Sequence, residues 1–149
     1  MDGRDAKRAI LALKQVTKLD DALKALTNNG KEREAARARR AYATIAHRLP
    51  LMVRRAGLSS ALLFVGSRKS EPQRRLLTHL TRQLFEAGLC DADTPESLLK
   101  SAREADLWAL ERLTAEAERC LLWTKRLTVT VLGVSAAEAD RLTDDEEEE

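Results

Sequence analysis

Apolar residues recur at steps of three and four along most of this chain, the spacing that places them on one face of an α-helix. In a first helix, predicted from about Asp5 to Thr27, this face consists of Ile10, Leu13, Val16, Leu19, Leu23 and Leu26. Residues 28–30, Asn-Asn-Gly, end it because they readily adopt left-handed backbone conformations. A second helix begins near Lys31 and carries Ala35, Ala38, Tyr42, Ile45 and Leu49 on its apolar face.

The pattern changes in the stretch HRLPLMVRRAGLSSALLFV, residues 47–65, which is nearly continuous in apolar residues. Pro50 lacks an amide proton and crowds the preceding turn, so it predicts a kink or a restart of the helix. Gly57 is predicted to end the short piece 51–56. A very apolar helix then follows over 61–65, capped by Ser59 or Ser60, and this helix, Phe64 included, is predicted to occupy the centre of the core.

Helix start signals mark the rest of the chain. The sequence Ser70-Glu71-Pro72-Gln73 has the form of a capping box and opens a helix that Gly88 closes. Thr94-Pro95 opens the next helix, and a long one runs from about Asp106 to Leu132. A second capping box, Ser135 with Glu138, opens a short terminal helix. We therefore predict an all-α, single-domain antiparallel bundle of about six helices with a Pro/Gly-hinged central segment over residues 1–143, followed by a disordered acidic tail, 144–149.

Composition agrees with this fold class. The 149 residues suit one domain, and a chain with 34% charged but only 3% aromatic residues is typical of packed helices. No apolar stretch reaches the roughly 20 residues of a membrane span, and the first residues lack the apolar segment of a signal peptide, so we expect a cytoplasmic protein. Cys90 and Cys120 form no close pair and are expected to remain thiols.

Charge is distributed unevenly. The whole chain carries +2, and because the acidic residues 144–149 contribute −6, the rest carries +8. Residues 31–57 have a local charge of +6, whereas residues 86–118 have −6. This asymmetry favours binding of a polyanion on one side and of basic partners on the other. The alternative is that these charged side chains only form solvent-exposed helix faces and neutralise one another across the bundle.

Motifs for catalysis, metal binding and nucleotide binding are missing: the chain has no HExxH, no Cys/His cluster of metal spacing, no P-loop, no GxGxxG and no GxSxG. His47 and His79 stand alone on predicted helices. We therefore assign no catalytic residues, no metal site and no cofactor. The aromatic residues lie mostly at core-spaced positions, Trp108 and Phe64 among them, which leaves arginines to contact a phosphate backbone without reading sequence.

Two blocks carry a family resemblance. Residues 41–68, AYATIAHRLPLMVRRAGLSSALLFVGSR, place a tyrosine, a hinge proline, a Gly-Leu pair and a Leu/Phe-rich helix in the order and spacing seen in the small helical subunit of Cmr-type (type III-B) CRISPR effector complexes. Residues 114–127, TAEAERCLLWTKRL, resemble the closing helix of that family. An ordinary kinked core helix and an ordinary amphipathic helix remain the alternative for these blocks.

The resemblance implies a non-enzymatic subunit. Such subunits stack with copies of themselves along the guide RNA, contact the backbone and large subunits, and help hold target RNA paired to the guide. The predicted RNA-binding residues are basic side chains that lie away from the apolar helix faces: Arg37, Arg40, Arg48, Arg54, Arg55, Lys125 and Arg126. Trp123 is expected to anchor the pair Lys125 and Arg126 to the core. A helical adaptor or DNA-binding regulator remains the alternative. A recognition helix, however, should expose Asn, Gln or Arg toward bases near a tight helix-turn-helix, and residues 44–50 do not fit that pattern.

Overall fold

The computed structural model describes residues 3–140 and contains helices without strands over that range. The helices are α1 (Gly3–Asn28), α2 (Glu32–Ala56), α3 (Leu58–Gly66), α4 (Glu71–Glu86), α5 (Pro95–Glu104) and α6 (Leu107–Leu127). A π-helical turn, Thr128–Leu132, extends α6, and residues 136–140 are again helical. The predicted all-α bundle is thereby confirmed. The predicted acidic tail lies outside the described residues.

One apolar core joins all six helices. The apolar face predicted for α2 lies inward, but that of α1 does so only from Val16 onward. Ile10 and Leu13 have 55% and 47% of their surfaces exposed, and Ile10 lines an open cleft instead of the core. The largest side chains with less than 2% of their surface exposed are Tyr42, Leu49, Leu62, Leu76, Leu80, Leu84, Leu98 and Leu121. A polar contact crosses this core. The amide of Gln83 on α4 donates to Gln15 Oε1 on α1 at 2.8 Å and to Thr124 Oγ1 on α6 at 3.2 Å. This pairing fixes three helices relative to one another.

The hinge region differs from its prediction at Pro50. Helix α2 continues through the proline to Ala56, so residues 51–56 do not form a separate piece. A proline inside a helix removes one backbone hydrogen bond. On either side of it, Leu49 and Val53 are buried, and their packing offsets that loss. Gly57 ends α2 as predicted, with a φ of 88° that a residue with a side chain rarely adopts.

Helix α3 corrects two predictions. Neither Ser59 nor Ser60 caps it, because the helix begins at Leu58 directly after Gly57. Phe64 is not at the core centre: 41% of its surface is exposed, and the Arg68 guanidinium lies 5.3 Å from its ring centroid. A nine-residue helix packed on one side has room for only one buried face, and the fully buried Leu62 belongs to it.

The predicted caps at Thr94 and Ser135 are confirmed, and the one at Ser70 is wrong, as is that of α3; Asp106, for which no cap was predicted, caps α6. The side chains of Thr94, Asp106 and Ser135 accept hydrogen bonds from the amides of Ser97, Ala109 and Glu138. Ser70 makes no such bond, and the Gln73 side chain, the other half of the predicted capping box, accepts from Arg68 Nε at 2.9 Å. The core position suggested for Trp108 is also wrong: it lies in the first turn of α6 with 75% of its surface exposed.

Candidate nucleic-acid interface

The solvent face of α2 carries a line of arginines. Positions separated by three or four residues stay on one side of a helix, and on this side they are all exposed or half-buried. We call this line the α2 stripe; it consists of Arg33, Arg37, Arg40, Thr44, Arg48, Leu51 and Arg55. With a rise of 1.5 Å per residue, the stripe extends about 33 Å along α2. The opposite face of the same helix carries the buried Tyr42, Leu49 and Val53.

The arginines of the α2 stripe are unpaired with carboxylates of the described part of the chain. Within residues 3–140, one of their guanidinium groups forms a hydrogen bond: Arg40 Nε donates to the carbonyl oxygen of Ala36 at 3.3 Å. The acidic residues of the bundle are engaged elsewhere or exposed, and Glu116 binds Arg8. The stripe therefore presents positive charge to solvent along its whole length.

The predicted binding residues fall into two clusters. Arg37, Arg40, Arg48 and Arg55 belong to the α2 stripe, while the exposed Arg54 lies about 100° around the helix from Arg55. Lys125 and Arg126 lie in the last turn of α6. Within residues 3–140 no hydrogen bond or ion pair connects them to the stripe. Arg33 extends the stripe by one turn but is absent from the residues predicted from the sequence. Its position four residues before Arg37 places it on the same side of the helix and could have identified it.

The α6 pair is held by an aromatic contact. The Arg126 guanidinium lies 4.9 Å from the Trp123 ring centroid, and the Trp123 indole donates to Asp5 Oδ1 on α1 at 2.8 Å. That hydrogen bond lowers the pKa of the Asp5 carboxyl, so the carboxylate stays charged. Trp123 thus anchors the pair by joining α6 to α1, as a half-buried side chain rather than as part of the deep core.

Other arginines hold the fold. Arg8 on α1 donates from Nε and Nη2 to the two carboxylate oxygens of Glu116 on α6, at 2.7 and 2.8 Å. These hydrogen bonds lower the pKa of Glu116. On α2, Arg39 lies between the helix's two faces and donates to Asp20 Oδ1 at 2.7 Å and to the Leu132 carbonyl oxygen at 3.3 Å. Its neighbour Arg40 belongs to the stripe, so adjacent arginines have different roles.

The side chains most suited to proton transfer or nucleophilic attack are engaged in contacts within the fold. His79 Nδ1 forms a 2.8 Å hydrogen bond with the Tyr42 hydroxyl, and burial lowers the pKa of His79 to about 4. Burial raises the pKa of the Cys120 thiol to about 12, and Glu116 adds to the effect. His47 Nε2 donates to the Val134 carbonyl oxygen at 2.9 Å. These side chains satisfy packing contacts between helices.

Residues 3–140 contain no group of three or more histidine, cysteine, aspartate or glutamate side chains placed to hold a metal ion. Over the same range, no helix is both long enough and apolar enough to cross a membrane.

The family model of a CRISPR-associated protein, Cas_Cmr5, matches residues 4–131, which include the whole α2 stripe and the α6 pair. The chain belongs to the Cmr5 family. A Cmr5 relative from Thermus thermophilus, named CRISPR system Cmr subunit Cmr5, is 38% identical over 104 residues, which are 68% of this chain and 86% of the relative.

The fold agrees with a solved Cmr5 structure. The X-ray crystal structure of a CRISPR-associated Cmr5 family protein from Thermus thermophilus superimposes with a TM-score of 0.67 at 30% identity. The match covers 88% of this chain and 98% of the other. The resemblance read from the sequence blocks is confirmed, and this Cmr5 family member is a subunit of a CRISPR Cmr complex.

Proposed function

We propose that this chain is the non-catalytic small subunit of a Cmr-type effector complex and helps hold target RNA paired to the guide through its basic surface. In this proposal, copies of the subunit stack along the guide and target RNA. They contact the backbone and large subunits, and the complex acts in the cytoplasm. Membership of the Cmr5 family supports this role over that of a DNA-binding regulator or a helical adaptor.

The observation that carries the proposal is the α2 stripe. Arginine suits phosphate because its planar guanidinium is always charged and donates paired hydrogen bonds to phosphate oxygens. A row about 33 Å long matches an extended polyanion better than it matches a single small anion. Pairing with the guide supplies sequence specificity in such complexes, so a surface that recognises only charge and shape is sufficient.

Arg54, Lys125 and Arg126 remain part of the proposed RNA surface as flanking contacts. Arg54 is exposed beside the end of the stripe. Stacking on Trp123 already restricts the Arg126 side chain, so this arginine loses less conformational entropy when it binds RNA. Because these residues lie off the line of the stripe, we expect each to contribute less than a stripe arginine.

The non-catalytic part of the proposal is supported by the state of the reactive side chains. A histidine with its pKa near 4 is a neutral imidazole and a weak base at neutral pH, and a buried thiol with its pKa near 12 is not a thiolate. Cys120 is also buried in the core, and the half-buried His79 is hydrogen-bonded to Tyr42. The chemistry of the complex is thus assigned to other subunits.

The test uses a reconstituted effector complex with Arg37→Glu and Arg48→Glu combined in this subunit. Its matched control is Arg74→Glu with Arg103→Glu, two exposed arginines of α4 and α5 that form no ion pair within the described residues. We expect the stripe variant to lose about tenfold or more in target-RNA affinity at about 100 mM salt, and the control to stay within about twofold. Equal losses in the two variants, with assembly intact, would show that only net charge matters. Binding of duplex DNA with sequence preference by the isolated chain would support the regulator.

A further inference from the structure

The last described residues lie against α2 beside the stripe. Val134 is tied to α2 by the hydrogen bond that its carbonyl oxygen accepts from His47. Val134 and Ala139, with 6% and 2% of their surfaces exposed, pack with the fully buried Ala43 in a small apolar cluster. Ala43 lies level with Thr44 of the stripe and about 100° around the helix from it, on the flank of the stripe. The chain therefore leaves the described part of the molecule next to the middle of the α2 stripe.

Beyond Arg141, Leu142 and Thr143, the sequence is strongly acidic and within reach of every stripe arginine. Residues 144–149 are Asp-Asp-Glu-Glu-Glu-Glu. An extended chain spans at most about 3.4 Å per residue, so Asp144 lies within about 17 Å of Ala139 and Glu149 within about 34 Å. Measured along α2 from Ala43, Arg33 is about 15 Å away and Arg55 about 18 Å. Six carboxylates are thus tethered close to five arginines that have no carboxylate partner within residues 3–140.

We propose that residues 144–149 bind the α2 stripe in the free subunit, as an intramolecular competitor of RNA that the RNA displaces in the assembled complex. Displacement of the tail by RNA rests on the proposed function, whereas the contact between the tail and the stripe does not. A short tether gives a local concentration in the millimolar range, which is sufficient for weak, multiple ion pairs to form. These exposed pairs are screened by salt, so the contact is reversible.

A second basic surface is a less suitable partner. A cleft of about 990 Å³ between α1, α4 and α6 is lined by several arginines and lysines. Its arginines are largely engaged already: Arg8 binds Glu116, and Arg82 binds both Glu86 and Asp93. The stripe has no such internal carboxylates, and the chain end is anchored beside it. We therefore expect the bound tail to weaken RNA binding by the free subunit. In the assembled complex, paired RNA presents many phosphates together and displaces the tail.

The first experiment detects the contact without RNA. A nitroxide label is attached to Glu147→Cys in the full chain, where Cys90 and Cys120 are buried and thus protected from labelling. We expect broadening of backbone amide signals of residues 37–48 at about 50 mM salt, and its loss at about 500 mM salt. Adding Arg37→Glu with Arg48→Glu should abolish it at low salt. Broadening centred on the α1–α4–α6 cleft, or none at all, would overturn the proposal.

The second experiment measures competition with a fluorescent uridine 20-mer. The tail variant changes Glu147, Glu148 and Glu149 to Gln, and the control with the same change in net charge does so at the exposed Glu96, Glu104 and Glu111. We expect the free tail variant to bind the RNA about threefold more tightly than the native chain at about 50 mM salt, and the control less than about 1.5-fold more tightly. Equal gains would contradict competition by the tail. If Arg37→Glu with Arg48→Glu, added to the tail variant, leaves its RNA affinity unchanged, the proposed function fails, while the label experiment still decides the contact.

Discussion

The α2 stripe and the seam between α1 and α6 use the same residue type in opposite ways. In the seam, Arg8 and Glu116 are half-buried with only 11% and 13% of their side-chain surfaces exposed, and both carboxylate oxygens are occupied. On the stripe, arginines face solvent without a carboxylate partner in the described residues. An arginine in the first setting holds two helices together. One in the second setting contributes little to the fold and remains available for a ligand.

This difference shows that a count of basic residues does not locate a binding surface. The local charge of residues 31–57 includes Arg39, which is committed to Asp20, next to Arg40, which is not. Burial and pairing separate the two roles. We therefore expect substitution of a buried or paired residue to lower the free energy of unfolding. Substitution of an exposed, unpaired stripe arginine should instead lower RNA affinity.

The largest expected effect extends the comparison to apolar residues of α3. Leu62→Ala should cost about 2 to 5 kcal/mol of unfolding free energy, because it opens a cavity in the core. Phe64→Ala should cost less than about 1 kcal/mol, because the ring is largely exposed. Urea melts of the two variants measure both values. Equal costs would contradict the exposed position of Phe64 near the C-terminus of α3.

The next effect compares two arginines directly. Arg8→Ala should lose about 2 to 3 kcal/mol, because it leaves the half-buried Glu116 without its bidentate partner. Arg48→Ala should stay within about 0.5 kcal/mol of the native chain. Chemical denaturation of both variants at one pH provides the measurement. A destabilised Arg48→Ala protein would contradict the separation of roles.

A smaller effect tests the inner face of α2, where Tyr42 binds His79. The folded pKa of His79, about 4, lies below its unfolded value of 6.5, so the unfolded chain binds more protons between these values. Stability is therefore full above pH 6.5 and is lost as the pH falls toward 4, by about 2 kcal/mol between pH 7 and 5. In His79→Asn this pH dependence should disappear from urea melts. An unchanged dependence in the variant would assign it to other groups.

Much of the fold was predictable because helix spacing and caps are local signals. The inward faces of α2 and α4 follow directly from their apolar spacing, as does that of α1 from Val16 onward, whereas Ile10 and Leu13 share the apolar spacing but are exposed. The errors lie where tertiary packing decides: α2 continues through Pro50, and Phe64 and Trp108 have core-like residue types but exposed positions.

The candidate site was predictable in part. The arginines away from the apolar face of α2 were recognised from spacing alone. Whether an arginine has a partner depends on residues far away in sequence, such as Glu116 for Arg8, and no local pattern contains that information. The same limit applies to Val134 and Ala139, whose position beside Ala43 depends on packing between residues 91 or more apart.

The most direct test of the central claim is the salt dependence of target-RNA affinity in the reconstituted complex. Each phosphate contact removed should reduce the slope of log affinity against log salt by about 0.7, so Arg37→Ala combined with Arg48→Ala should reduce it by about 1.4 for each copy in contact with RNA. Sequence preference should not change. An unchanged slope in a fully assembled complex would contradict the assignment of the α2 stripe to RNA.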